Sequence, residues 1–159
     1  MSFRVLMVCT GNICRSVMAE QILREAAADS DIDILVDSAG ISDEEHGHGI
    51  DSRAARVLRE GGYRVPSHRA RQVQAGELER WDLILAMTAS HLRALERLAG
   101  GPDPNIRMFR DFEAGIEDAG NRDVPDPWYG DYSDFEATRA IIEACTPAIL
   151  EYAARSLNR

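Results

Sequence analysis

The first stretch of the chain constrains its fold more than any other. A mostly apolar run, Phe3-Arg4-Val5-Leu6-Met7-Val8, has the length and composition of a buried strand. It passes through a turn containing Gly11 straight into apolar positions at helical spacing, Val17, Met18, Ile22, Leu23 and Ala26. A buried strand handed directly to a helix opens a β-α-β unit, in which the helix carries the chain back so that the next strand lies parallel to the first. The rest of the chain repeats the alternation. Strands are predicted over residues 32–36, 81–87 and, more briefly, 105–109, and helices over 16–28, 51–61, 89–98 and 134–154, with Gly61-Gly62 stopping the second helix. The pattern predicts an α/β fold, a single domain over residues 1–159 with a four-stranded parallel sheet and helices on both faces, a flavodoxin-like three-layer sandwich. At 159 residues, with no repeat or internal linker, one core is expected. Residues 110–131 show little periodicity and contain Pro125-Asp126-Pro127, so they read as a long loop of the kind that carries function.

In such folds ligands bind beyond the carboxyl ends of the strands, which directs attention to the turn after the first one. That turn reads Cys9-Thr10-Gly11-Asn12-Ile13-Cys14-Arg15-Ser16, with five residues between a cysteine and an arginine. The spacing lets a small loop wrap an oxyanion, its backbone N–H groups and the helix N-terminus forming an anion-binding nest. Arg15 offers a planar fork for two phosphate oxygens, and the same positive surroundings favour a nucleophilic thiolate at Cys9, to which Ser16 can donate a hydroxyl. The Gly-Lys-Ser/Thr ending of an ATP-binding loop is missing. Each residue alone has a plainer reading: a strand-end cysteine is usually a small core residue, and an arginine at a helix start is usually solvated.

Charge sharpens the argument. The net charge is −9 and the isoelectric point about 4.9, so a nucleic-acid partner is not expected and any anionic substrate must be held by a local positive site. All 18 basic residues are arginine, which leaves guanidinium as the only strong side-chain clamp for phosphate. No apolar run reaches the length of a signal-peptide core or membrane span, and the three cysteines are an odd number, so a cytoplasmic chain with free thiols and no membrane partner is expected.

The segment Val8 to Ser16, with Met18-Ala19-Glu20 behind it, resembles the signature of the low-molecular-weight protein tyrosine phosphatases, in their bacterial form. Asp126-Pro127-Trp128-Tyr129-Gly130-Asp131, followed by Ser133-Asp134-Phe135-Glu136, is similar to that family's general-acid loop. Asp37-Ser38-Ala39-Gly40, the Gly47/Asp51/Arg53 spacing and His68-Arg69-Ala70-Arg71-Gln72 also match, so the resemblance covers nearly the whole chain. It implies hydrolysis of phosphotyrosine in proteins through a phosphocysteine, with inorganic phosphate as product and no cofactor or metal. Cys9 would be the nucleophile, Arg15 the clamp and Asp126 the general acid and base, with Thr10, Gly11, Asn12, Ile13, Cys14 and Ser16 completing the phosphate loop. Residues matching Asn12, Ser16, Ser38 and His68 brace that loop in the family.

Two departures stand out. Val17 replaces a usual proline, and Glu44 falls where relatives commonly place an aromatic wall, leaving Trp128, supported by Tyr129, to form the ring pocket while Glu44 disfavours acidic sequences near the phosphotyrosine. Related enzymes form a disulfide between the positions of Cys9 and Cys14; a packed thiol at Cys14 is the equal alternative. Cys145 reads as core. His46 and His48 form a His-x-His without a full ligand set, which favours a polar loop over a zinc site shared with Cys9 and Cys14. Among other readings, an arsenate reductase would need cysteines between Cys14 and Cys145, where none lies. A protein-arginine phosphatase typically carries threonine where this chain has Ile13, and an inactive phosphoprotein-binding module would not need Cys9, Arg15 and Asp126 together.

Overall fold

The structure is a computed structural model that describes residues 1–116 and 120–159. Its regular elements are β1 (Phe3–Cys9), α1 (Arg15–Asp29), β2 (Ile34–Gly40), α2 (Ser52–Glu60), β3 (Leu83–Ala86), α3 (Ala89–Ala99), β4 (Ile106–Met108) and α4 (Tyr132–Leu157). The four strands form one sheet in the order β2-β1-β3-β4, and every neighbouring pair is parallel.

Why β1 lies at the centre follows from its side chains. Val5, Leu6, Met7 and Val8 have no exposed surface, and each such burial contributes roughly 1.5–3 kcal/mol relative to exposure. Successive residues point to opposite faces. Phe3, Val5, Met7 and Cys9 join a cluster with Met18 and Ile22 of α1, Val57 and Leu58 of α2, and Phe135 and Ile142 of α4. Leu6 and Val8 join a second cluster with Ile84, Leu95 of α3 and Ile106. The two clusters are the two interfaces of a three-layer sandwich, as the alternation predicts.

The differences from expectation lie at element ends. β2 continues to Gly40 because Asp37 to Gly40 keep pairing with Leu6 to Cys9; these residues look like turn formers in isolation, and a central-strand partner overrides that preference. β3 is shorter at its start because residues 75–80 form a 3-10 helix that leaves Trp81 as its exit. α4 begins at Tyr132, where Asp131 and Asp134 form a capping box, and it runs past Pro147 to Leu157. The long loop holds two short 3-10 turns, Phe109–Phe112 and Pro127–Tyr129, and buries Phe112 and Val124. Its residues 117–119 lie outside the described residues.

Parallel packing brings the carboxyl ends of β1 and β2 into close approach. The main chain of Ile41 donates to Cys9 O at 2.9 Å and that of Ser42 to Thr10 O at 3.0 Å. A Cβ on Gly40 would sit 2.6 Å from the Thr10 carbonyl oxygen and 3.2 Å from the Gly11 carbonyl carbon. Both neighbours are backbone and cannot swing aside. Gly40→Ala is therefore expected to lose about 1–3 kcal/mol, the usual cost of overpacking, seen as a lower urea midpoint. An unchanged midpoint would show that the two strand ends do not meet in this way.

Candidate active site

The turn between β1 and α1 is shaped by Asn12, which has φ 61° and no exposed surface. A left-handed backbone is accessible to asparagine with little strain. Buried there, its polar groups need partners, and they have them. The amide Nδ2 donates to Ser16 Oγ and to Ser38 Oγ, each at 2.9 Å. The amide oxygen accepts from the Arg71 main chain at 3.0 Å, and the main-chain carbonyl accepts from His68 Nε2 at 2.6 Å. Since a carbonyl can only accept, His68 carries its proton on Nε2. Ser38 in turn donates to Glu20 Oε1 at 2.5 Å, and the other oxygen of this buried glutamate pairs with Arg24.

One consequence reaches the cysteine. Ser16 Oγ accepts from Asn12, so its own proton is free to point at Cys9 Sγ, 3.0 Å away. Cys14 is the N-cap of α1 and makes no side-chain capping bond, so the first-turn N–H groups of the helix have no side-chain acceptor from it. Burial, Asp51 and the neighbouring Cys9 push the Cys14 thiol well above its ordinary range. Cys145 is likewise a core thiol, pushed up to about 12 by burial and Glu113. All three cysteines are free.

Arg15 is only 4% exposed. Its Nη1 donates to Val124 O at 2.9 Å, and its Nη2 lies 3.7 Å from Asp126 Oδ2. Asp126 has an extended backbone and caps the Pro127–Tyr129 turn, its Oδ1 accepting from the Trp128 main chain at 3.0 Å. Two helices secure this segment. Asp123 Oδ1 accepts from the Ala89 main chain at the start of α3, at 2.8 Å. From α2, Arg53 Nη1 donates to Trp128 O at 3.1 Å while its guanidinium lies 5.1 Å from the Trp128 ring and 4.6 Å from that of Phe135. Asp51, the N-cap of α2, completes the tie by donating its own N–H to Ile13 O at 3.0 Å.

These residues enclose a cleft of about 120 Å³. Its buried members, Cys9, Ile13, Cys14 and Arg15, form the floor together with Gly11, and Asp126, Trp128, Tyr129, Glu44 and Glu45 are at the mouth. Asn12, Ser16, Ser38 and His68 stand behind the loop. Tyr129 is 90% exposed against 40% for Trp128, so the tryptophan is the better held of the two rings. Arg15 is not the solvated residue that a helix start suggests. Nothing local in the sequence marks Glu20, Arg53 or His91 as site residues, because a charged or polar side chain on a helix or loop carries no sign that its partner lies in another element. His48 Nδ1 pairs with Glu45 at 2.6 Å, and among the described residues no three His, Cys, Asp or Glu side chains converge as a metal-binding group. No described helix is long and apolar enough to cross a membrane.

A parallel α/β sandwich with a Cys-x5-Arg turn at the tip of its central strand, facing an aspartate across a small cleft, defines a phosphatase. The profile of the family described as low molecular weight phosphotyrosine protein phosphatase matches residues 4–159. The chain is 42% identical to the low molecular weight protein-tyrosine-phosphatase of Streptomyces coelicolor, over 94% of this chain and 93% of that one. It superimposes on a protein tyrosine phosphatase from Entamoeba histolytica with a TM-score of 0.89 at 28% identity, covering 98% of this chain and 99% of the other. Vibrio vulnificus Wzb in complex with benzylphosphonate gives a TM-score of 0.81 at 27% identity, with 96% and 99% covered. The chain belongs to the low molecular weight phosphotyrosine protein phosphatase family and is an enzyme of the protein-tyrosine-phosphatase class.

One group at the site makes stability depend on pH. Burial first, then the Arg15 charge, lower His91 from its ordinary 6.5 to about 4, against the opposing pull of Asp123 and Asp126. Between these values the unfolded chain binds the proton and the native chain does not, so stability falls as pH drops from 6.5 towards 4. In urea titrations from pH 7 to 4, His91→Gln should abolish about 3 kcal/mol of the wild-type decline. Parallel curves for the two proteins would contradict a neutral buried ring.

Proposed function

We propose that the enzyme hydrolyses phosphotyrosine in proteins in two steps, with Cys9 as nucleophile, Arg15 as phosphate clamp and Asp126 as general acid and then base. The observation that carries this reading is the meeting of Cys9, Arg15, Asp126 and Trp128 at one cleft whose floor is buried and whose mouth is open. In the first step Cys9 Sγ attacks phosphorus, the bond from phosphorus to the phenolic oxygen breaks, and the Asp126 carboxyl gives its proton to the leaving phenolate. In the second, the Asp126 carboxylate takes a proton from a water molecule that attacks phosphorus, the S–P bond breaks, and inorganic phosphate leaves. Charge on the transferring group is balanced by Arg15 and the N-terminus of α1, so the protein's task is positioning and electrostatic stabilisation. Ser16 donates to the sulfur in its anionic form.

The aromatic leaving group packs on Trp128, which Arg53 holds through its main-chain carbonyl and its ring. Ile13, apolar and in the cleft lining, suits a ring better than a charged guanidine. Benzylphosphonate, the ligand of the Vibrio vulnificus neighbour, pairs a ring with a phosphonate much as phosphotyrosine pairs a ring with a phosphate. Glu44 and Glu45 at the mouth disfavour acidic residues beside the phosphotyrosine.

Cys9→Ser should abolish turnover and retain phosphate binding; wild-type activity in that variant would exclude a phosphocysteine. Asp126→Asn should slow phosphotyrosine hydrolysis by about 10²- to 10⁴-fold, the range for lost general acid catalysis, and slow p-nitrophenyl phosphate less, because its leaving group needs less protonation. Equal slowing of both substrates would remove Asp126 from the role of proton donor. Activity should also survive EDTA, and its loss on chelation with recovery on adding zinc or magnesium would overturn the scheme.

A further inference from the structure

His91 has no part in the reaction above, yet it is attached to the phosphate loop. The residue is 6% exposed and its ring Nε2 lies 2.7 Å from Thr10 Oγ1, on the residue that follows Cys9. The other ring nitrogen, Nδ1, is buried without a hydrogen-bond partner among the described residues. A buried polar atom left unsatisfied costs about 1–3 kcal/mol, so the single bond to Thr10 is the polar contact that the ring keeps. The main chain of Thr10 is held independently, its carbonyl accepting from Ser42 N at 3.0 Å and from Ser42 Oγ at 3.3 Å.

The ring projects from the first turn of α3, where the His91 main chain donates to the N-cap Thr88 Oγ1 at 3.2 Å. The same helix end donates to Asp123 through Ala89 at 2.8 Å, and the neighbouring Val124 donates to Met87 O at 2.8 Å while accepting from Arg15 at 2.9 Å. One rigid element thus grips the loop after Cys9 on one side and the segment leading to Asp126 on the other. The charged groups around the ring are Arg15, Asp123 and Asp126. Burial above all, then Arg15 and the helix N-terminus, outweigh the pull of Asp123 and Asp126 on an imidazolium, and the neutral ring supplies a hydrogen bond without competing with Arg15 for an anion.

We propose that His91 is a positioning residue of this enzyme: through Thr10 Oγ1 it fixes the phosphate loop beside Cys9 against the N-terminus of α3, the element that also anchors the Asp126 segment through Asp123. The proposal rests on the phosphocysteine reading for its effect on turnover, and on the loop geometry alone for its effect on anion binding. Errors of about 1 Å in placing reacting groups cost on the order of a hundredfold in rate. Loss of one tether of a loop that keeps its Asn12 brace and its Ser42 contact should cost less, about tenfold.

The test compares Thr10→Val, His91→Phe, His91→Gln and the Thr10→Val/His91→Phe double variant. Three quantities are read: kcat and KM on p-nitrophenyl phosphate, the protection of Cys9 by inorganic phosphate against iodoacetamide, located by mass spectrometry, and the thermal midpoint. Thr10→Val and His91→Phe should each lower kcat about tenfold and weaken phosphate protection, with the double variant no worse than either single one. His91→Gln, which can present a polar atom near the position of Nε2, should restore most of both. Multiplying losses in the double variant, unchanged phosphate protection in Thr10→Val, or a His91→Gln as impaired as His91→Phe with the thermal midpoint falling in step would each overturn the proposal. Should the wild type prove inactive, or Cys9→Ser active, the phosphocysteine reading fails and the phosphate-protection arm still decides the role of His91.

Discussion

The buried amide of Asn12 is the contact on which the site depends. A loop that turns its N–H groups inward on an anion must turn carbonyls and side chains outward into the protein, and buried polar groups without partners cost free energy that a small domain cannot spare. Asn12 answers this with its left-handed backbone and with bonds to Ser16, Ser38, Arg71 and His68. Those four partners come from α1, β2 and the segment that follows α2. The loop is therefore held by the sheet and its flanking chain, and Ser38 passes the network on to Glu20. Breaking any member exposes the next to the same cost, which is why such networks behave as units.

Electrostatics works at two ranges in this molecule. The chain carries a net charge of −9, yet its cleft is lined by the buried guanidinium of Arg15. Exposed charges are screened within about 8 Å at physiological ionic strength, whereas Arg15, at 4% exposure, acts in surroundings of much lower effective dielectric. The near field wins at the cleft floor. At the mouth, where Glu44 and Glu45 meet solvent, the acidic surface is felt again. In the proposed reaction the two ranges would divide the labour between holding the phosphoryl group and selecting its surroundings.

Three connections make the cleft one unit. α2 joins the loop to the Trp128 segment through Asp51 and Arg53, α3 reaches the Asp126 segment through Asp123 and the loop through His91, and Arg15 crosses the cleft to Val124. Helix N-termini are suited to this task because their free N–H groups donate to carboxylate caps in fixed geometry. The segment carrying Asp126 has little regular structure of its own, and its position is set by these ties.

Much of this was legible in the sequence for local reasons. The 2.0- and 3.6-residue periods reveal strands and helices because each element needs one buried face, and the Cys9 to Arg15 spacing reads as an anion loop because the chemistry it implies lies within one turn. The Asp126 segment was legible by resemblance, since nothing in Asp-Pro-Trp-Tyr alone marks it as other than a turn. Tertiary structure decided what depends on distant partners. Asp37 to Gly40 became strand because β1 offered unpaired backbone beside them, and Arg15 became buried because Val124 and Asp126 arrive from over a hundred positions away. Glu20, Arg53, Asp123 and His91 took their places at the site for the same reason. A hydrogen bond is specified by two groups, and when those groups lie in different elements the sequence names each one without stating that they meet.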